Sequence, residues 1–314
     1  MVLLENIKEL KKKITLSKSF DKLYNLGIDY YQKKEYETAI SYFKLALQKK
    51  KIKPQVYYNL ALSYQHTKLL DLAVTSYKRF LELNPNDYDG MYNLGLIYYS
   101  QQKYDKALEL FEKCFSIKKD EDGIRSLTLT YIALGNLQMV QELSLAVENL
   151  PGNGEKLNYS IAKTLEDRNT SPKDFTYLDK AIEMYSKIIQ KNPNHFDSYL
   201  SVSICYAKKG DWGESVKFCL LALQKNPDSY EANNQMGFVH YCRNEAAQAI
   251  EYYEKAMKLK PEGDPKVYTN LAYAYEKNSE TKKAIKLFEQ FLNKFPEHPA
   301  LEEIRNHIKA LKKG

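Results

Sequence analysis

Identical residues recur along this chain at intervals of 34 positions, and this period constrains the fold more than any other feature. Leu26, Leu60 and Leu94 are each 34 residues apart. A period of this length indicates a small structural unit that is repeated and that packs chiefly on its neighbours in sequence. The chain of 314 residues is long enough to hold several such units. The same interval separates Tyr30, Tyr64 and Tyr98, then Ala39, Ala73 and Ala107, and later Pro193, Pro227 and Pro261.

One unit, residues 54–87, contains two stretches in which apolar residues follow a helical spacing. In the first stretch they fall at i, i+3, i+4 and i+7, which places them on one face of a helix. The second stretch ends at "NPND", because proline cannot continue the backbone hydrogen-bond ladder. Each unit is therefore predicted to be a pair of helices joined by a short polar link. The apolar residues are Tyr57, Leu60, Ala61 and Tyr64 in the first helix, and Ala73, Tyr77 and Phe80 in the second.

This unit of two helices, with a small residue at its eighth position, resembles the tetratricopeptide repeat family. The resemblance covers nearly the whole chain, and it implies an all-α fold, a right-handed α-solenoid (superhelix) of antiparallel helix pairs. The fourth unit is degenerate, and the fifth carries an insertion between its helices at about 166–177, which is either a tolerated loop or a hinge. The predicted units are 20–53, 54–87, 88–120, 121–154, 155–195, 196–229, 230–264 and 265–298.

Both ends of the chain carry an apolar stripe at helical spacing, and a stack of repeats needs such terminal helices to cover its outer units. We expect a C-terminal capping helix in residues 299–314 and an N-terminal capping helix in residues 1–19. The N-terminal stripe is short, so a coiled-coil seam for a partner or a second copy remains an alternative. The stripes are Leu301, Ile304, Ile308 and Leu311 at one end, and Leu3, Ile7, Leu10 and Ile14 at the other.

The net charge of +7, from 47 basic and 40 acidic residues, raises the question of nucleic acid. A nucleic-acid track needs a continuous basic stripe. Many of the lysines instead fall where helices are predicted to end, a position that favours cations. The sequence therefore disfavours nucleic acid as a partner, and a nucleic-acid-associated helical-repeat protein is kept as an alternative function.

Residues typical of catalysis or metal binding do not form a motif. The four cysteines show no CxxC pairing, and the five histidines are scattered, so neither a metal nor another cofactor is expected. "PGNGEK" at 151–156 lacks the strand and the spacing of a phosphate-binding loop. No long apolar run is present, so no membrane span is expected. The sequence predicts a cytoplasmic protein that is not an enzyme.

The resemblance implies that the second, fifth, sixth, ninth, twelfth and thirteenth positions of each first helix face a concave groove. In the first three units these positions hold tyrosine, asparagine and aliphatic residues. Asparagine offers donors and an acceptor that pair with an extended peptide backbone. They also hold Asp21 and Asp89 but no lysine or arginine. The predicted partner-binding residues are Tyr24, Asn25, Ile28, Tyr31, Tyr58, Asn59, Leu62, Tyr92, Asn93, Leu96, Tyr99 and, in the eighth unit, Asn270.

These residues predict a non-catalytic scaffold or adaptor that binds a peptide or protein segment. The alternative for the same residues is that the tyrosines pack between adjacent units and serve the fold alone. An assembly or secretion chaperone that lacks its export signal is a further alternative. The arrangement by which related proteins grip an acidic C-terminal tail is not expected, because only Asn59 matches it.

Overall fold

The computed structural model describes residues 19–49, 53–148, 154–168, 174–260 and 263–313, and all regular secondary structure in these ranges is helical. The chain divides into two compact units, residues 1–150 and 151–314, here called the N-terminal and C-terminal units. The predicted N-terminal capping helix lies outside the described residues, apart from Ser19.

The N-terminal unit contains four helix pairs within its described residues. In each pair the first helix packs against the second, and the second packs against the first helix of the next pair. The helices are α1 (Phe20–Gln32), α2 (Tyr36–Leu47), α3 (Pro54–His66), α4 (Leu70–Leu83), α5 (Tyr88–Ser100), α6 (Tyr104–Ile117), α7 (Glu121–Leu134) and α8 (Leu137–Glu148).

The C-terminal unit repeats this packing with four further pairs and one terminal helix. That terminal helix packs on the second helix of the last pair and buries Ile304 and Ile308. The helices are α9 (Gly154–Arg168), α10 (Thr176–Lys191), α11 (Phe196–Lys208), α12 (Trp212–Lys225), α13 (Tyr230–Cys242), α14 (Ala246–Leu259), α15 (Pro265–Lys277), α16 (Thr281–Lys294) and α17 (Leu301–Leu311).

The prediction of an all-helical solenoid of packed antiparallel pairs is confirmed. The degenerate fourth unit also forms two helices, α7 and α8. Around the insertion expected at about 166–177, α9 ends at Arg168 and α10 begins at Thr176. Trp212 is the first residue of α12.

Close contact between the two helices of a pair requires a small residue at the eighth position of the first helix. A Cβ on Gly95 would lie 2.6 Å from Phe111, and one on Gly237 would lie 2.6 Å from Tyr253. Real Cβ atoms do not approach this closely, so a larger residue would overpack the pair.

The turn between the two helices of a pair has a fixed geometry. Lys34, two residues after the end of α1, has a left-handed backbone conformation. The equivalent residues of other pairs share it, with φ between 58° and 78°. Only Gly135 and Gly210 in this set are glycine, the residue that adopts the conformation without steric strain. The other members are Lys34, Lys68, Gln102, Asn244 and Ser279.

Candidate partner-binding site

The tyrosines at the fifth position of α1, α3 and α5 share one register and are half-buried. Tyr24, Tyr58 and Tyr92 each pack on an aromatic ring of the second helix, at centroid distances of 5.2–6.0 Å. They therefore point in one common direction and are neither free in solvent nor sealed in the core.

The hydroxyls of these tyrosines accept or share hydrogen bonds with the next unit. Asn59 Nδ2 donates to Tyr24 OH at 2.9 Å, and Asn93 Nδ2 donates to Tyr58 OH at 3.1 Å. Tyr92 OH lies 3.1 Å from Ser126 Oγ. In the C-terminal unit, Tyr159 OH lies 3.2 Å from Ser201 Oγ. We call these four contacts the tyrosine ladder. Each links the fifth position of one unit to the sixth of the next.

The tyrosine ladder gives a structural role to two of the three asparagines at the sixth position, Asn25, Asn59 and Asn93. One amide N–H of Asn59 and one of Asn93 bind the tyrosine of the preceding repeat. This contact corresponds to the alternative in which the tyrosines pack between adjacent repeats and serve the fold. Burial and then the charge of Asp89 raise the pKa of Tyr58, against the opposing effect of the Asn93 hydrogen bond. The hydroxyl therefore keeps its proton at neutral pH. Asn25, at the sixth position of α1, is exposed.

Aliphatic residues at the ninth position form a second row beside the tyrosine ladder. On α3 the two residues before the ninth position belong to the core, since Leu60 is only 5% exposed and Ala61 is fully buried. The ninth-position residues are instead half-buried. They therefore retain apolar surface on the outside of the stack. We call this set the aliphatic row: Ile28, Leu62, Leu96 and Leu129.

Aromatic side chains close the edge formed by the twelfth and thirteenth positions of α1, α3 and α5. Tyr31 OH lies 3.1 Å from His66 Nε2, and Tyr36 stacks on the His66 ring at 4.2 Å. Tyr99 makes an edge contact with Tyr104 at 5.3 Å. A shallow cavity of about 450 Å³ borders Tyr36 and His66. Tyr31 and Tyr99 thus flank the aliphatic row on one side.

The opposite edge, at the second position, is acidic. Asp89 and Asp122 are exposed, and Asp21 pairs with Lys53 at 2.9 Å. Among all six groove positions of α1, α3, α5 and α7, the one lysine or arginine is Arg125, at the fifth position of α7. It pairs with Glu121 on its own helix. This edge carries the sign of charge that repels phosphate groups.

The tyrosine ladder does not continue beyond α11, a feature that the sequence analysis did not identify. Leu200, Asn234 and Thr269 stand at the fifth position of α11, α13 and α15. On α13, Gln235 Nε2 and Asn234 Oδ1 are buried without a hydrogen-bond partner. Asn270, the remaining predicted site residue, is half-buried on α15. The signal in the sequence for the end of the ladder is the absence of tyrosine at the fifth position of α11, α13 and α15.

Three family models match the chain. Two are described as Tetratricopeptide repeat and cover residues 20–50 and 54–120. The third, described as the Tetratricopeptide repeat protein 21 C-terminal ARM domain, covers residues 138–310, more than half of the chain. This chain is a tetratricopeptide repeat protein. The family is typically non-catalytic and generally mediates protein–protein interactions.

Solved structures similar to this tetratricopeptide repeat protein have low sequence identity. The C-terminal part of a TPR repeat-containing protein from Cytophaga hutchinsonii is 14% identical, with a TM-score of 0.53 over 90% of this chain and 98% of that one. YrrB, described as a TPR protein with an unusual peptide-binding site, is 20% identical, with a TM-score of 0.43 over 60% of this chain and 95% of its own. The first similarity supports the fold.

One curated relative is human General transcription factor 3C polypeptide 3, which is 29% identical over 101 residues. The match spans 32% of this chain and only 11% of that protein. None of the helices in the described ranges is both long and apolar enough to cross a lipid bilayer. Within the same ranges, no three His, Cys, Asp or Glu side chains converge as a metal site would require.

Proposed function

We propose that this tetratricopeptide repeat protein is a non-catalytic scaffold whose N-terminal unit binds an extended segment of a partner protein along α1, α3 and α5. The aliphatic row supports this proposal most directly. It presents partly exposed apolar side chains at one position of successive helices, and covering each would contribute about 1 kcal/mol to binding.

The other groove residues have distinct roles in this proposal. The amide groups of Asn25, Asn59 and Asn93 that the tyrosine ladder leaves unused pair with the partner's backbone. Tyr24 and Tyr58 orient the amides of Asn59 and Asn93. The acidic second-position edge favours a segment that carries lysine or arginine on that side, and disfavours nucleic acid. The residues that contact the partner are Tyr24, Asn25, Ile28, Tyr31, Tyr58, Asn59, Leu62, Tyr92, Asn93, Leu96 and Tyr99, and Asn270 makes a similar backbone contact in the C-terminal unit.

The test compares two double variants that remove the same kind of side chain from different faces. Leu62→Ser/Leu96→Ser changes the aliphatic row, whereas Leu72→Ser/Leu83→Ser changes two leucines of α4 that are 45% and 42% exposed. Each protein is used for affinity capture from the native lysate, with mass spectrometry of the captured proteins.

We expect the wild type and the α4 variant to capture a common set of proteins and the aliphatic-row variant to lose them. Circular dichroism and thermal unfolding would verify that both variants are folded. Capture of the same proteins by all three would contradict the proposal.

A further inference from the structure

An exposed aromatic residue marks a second surface, in the C-terminal unit. Phe238 on α13 is 40% exposed, and it is the one aromatic residue among the large apolar side chains that are this exposed in the described ranges. Trp212, the first residue of α12, makes an edge contact with it at 6.4 Å between ring centroids. Two large rings thus meet at the outside of this unit.

Two side-chain amides beside Phe238 each have one buried atom without a hydrogen-bond partner. Gln235 is at the sixth position of α13, where Asn59 and Asn93 donate to a tyrosine hydroxyl of the preceding unit. Leu200 replaces that tyrosine here, so Gln235 Nε2 is left buried without an acceptor. Asn234 Oδ1 lacks a donor. Each such atom destabilises the free protein by about 1–3 kcal/mol, so a ligand that supplies the partner group gains part of this free energy.

Two lysines of the C-terminal unit lie close together, one on α9 and one on α11. Lys163 Nζ on α9 and Lys208 Nζ on α11 lie 2.8 Å and 2.9 Å from the same oxygen, Oε1 of Glu166. Glu166 is only 2% exposed, and Tyr185 OH donates to its other oxygen at 3.2 Å. The two ammonium groups are therefore held close together by one buried carboxylate.

Both lysines remain accessible, since their side chains are 42% and 39% exposed. Burial alone would lower the pKa of Lys163, but its hydrogen bond to Glu166 and the charge of Glu166 raise it, so the ammonium stays charged. Asp167, the other carboxylate beside Lys163, is 3.9 Å away and 64% exposed. Lys208 Nζ also lies 3.5 Å from the backbone carbonyl oxygen of Glu166. Each ammonium still has at least one N–H group beyond those that contact Glu166, and two such groups can together bind a further carboxylate.

The lysine pair and the aromatic patch lie on the same side of the stacked helices. Lys163, Ile204 and Phe238 all occupy the ninth position of their repeats, which begin at residues 155, 196 and 230, and Lys208 follows Ile204 by one helical turn. Helix α11 contacts both α9 and α13. Half-buried Ile204 therefore connects the cationic and the aromatic parts of this surface.

We propose that this surface binds an extended segment of a partner protein that carries an acidic side chain and a large apolar side chain. The carboxylate bridges Lys163 and Lys208, and the apolar side chain packs on Ile204 and Phe238. The partner's backbone C=O and N–H groups pair with Gln235 and Asn234 once their amides rotate outward. Neighbouring helices lie about 10 Å apart and an extended chain rises about 3.3 Å per residue, so the two side chains are about three residues apart.

The test is a selection of short random peptides displayed on phage against the full chain. Selected peptides should combine aspartate or glutamate with phenylalanine, tryptophan or leucine about three residues away. Phe238→Ala should weaken their binding by about tenfold or more. Leu220→Ala, which removes a 44% exposed leucine of α12, is the matched control and should leave binding unchanged.

A change in the peptide tests the lysine pair without affecting the stability of the protein. Replacing the acidic residue of a selected peptide by its amide should weaken binding to the wild type about tenfold, and Lys208→Arg should retain binding because it keeps the charge. Equal binding by Phe238→Ala and the wild type, no effect of the amide, or displacement of the peptide by single-stranded oligonucleotide would overturn the proposal.

This site is separate from the one proposed for the N-terminal unit, and the two can fail independently. Leu62→Ser/Leu96→Ser should leave binding of the selected peptides unchanged. Loss of that binding in this variant would show that the peptides occupy the aliphatic row and would refute the assignment to Phe238.

Discussion

At the scale of single residues, the tyrosine ladder pairs the fifth position of one repeat with the sixth position of the next by a hydrogen bond that the sequence alone did not reveal. Tyr24 and Asn59 are 35 residues apart, and so are Tyr58 and Asn93. The sequence predicted that these side chains share one face, because they recur at helical spacing. Their mutual contact depends on how far one unit is displaced against the next, and periodicity does not specify that displacement.

Substitutions at the sixth position of a repeat should have opposite effects on stability in the N-terminal and the C-terminal units. Asn59→Leu removes the donor to Tyr24 and should lower the free energy of unfolding by about 0.5–1.5 kcal/mol. Gln235→Leu removes the buried Nε2 group, which has no acceptor, and should raise the free energy of unfolding by about 1 kcal/mol. Urea unfolding of both variants measures these differences. Changes of the same sign would contradict the assignment of the tyrosine ladder.

The carboxylate of Asp120 should make stability depend on pH in the acid range. Burial alone would raise its pKa, but hydrogen bonds from Tyr88 OH at 2.6 Å and the Gly123 N–H at 2.9 Å, with the charge of Lys118, lower it below the usual value. A lowered pKa gives stability that is present above the unfolded pKa of about 3.9 and is lost as the pH falls through the folded pKa.

Asp120→Asn keeps the N-cap acceptor of α7 and removes only the charge. We expect it to unfold at lower urea concentration than the wild type at pH 7, by a few tenths to about 1 kcal/mol. This difference should shrink as the pH falls below about 4. A difference that is constant from about pH 7 to about pH 3 would show that the charge of Asp120 does not stabilise the fold.

At the scale of helices and turns, the 34-residue period predicted the pairs well because it combines helical spacing with regular breaks. At the C-terminal end of α9 the helix ends at Arg168, inside the stretch of about 166–177 that was expected to hold an insertion. Glu166 in that stretch is buried, and its partner Lys208 comes from another helix, 42 residues away. The sequence alone does not show this burial, because the partner of Glu166 is far away along the chain.

Two glycines three residues apart test the geometry of the turn between paired helices. Gly210 has φ +77° and open space where a Cβ would lie. Gly213 lies in the first turn of α12, and a Cβ added there would have Asp211 Oδ1, at 3.8 Å, as its nearest neighbour. Gly210→Ala should therefore destabilise the protein by about 1 kcal/mol through backbone strain alone. Gly213→Ala should stabilise it by a few tenths of a kcal/mol to about 1 kcal/mol.

Thermal unfolding of the two glycine variants side by side gives the comparison, because both add the same methyl group within one turn and helix. Equal midpoints for the two variants would contradict the left-handed turn at Gly210.

At the scale of the whole molecule, each unit by itself presents a row of first helices with a distinct surface chemistry. The N-terminal unit has the aliphatic row beside an acidic edge, and the C-terminal unit has Phe238 with the Lys163–Lys208 pair. The sequence predicted the first surface from repeated tyrosine and asparagine residues. It did not locate the second, because Leu200 and Phe238 break the repeated pattern and the lysine pair depends on buried Glu166.

Photo-crosslinking tests most directly the claim that partners bind on the first helices of the repeats. A photo-reactive amino acid replaces Leu62 on α3 in one protein and Leu72 on α4 in another, and each is irradiated in the native lysate. We predict covalent adducts with partner proteins from position 62 and none above background from position 72. Adducts from position 72 alone, or equal adducts from both positions, would contradict the account.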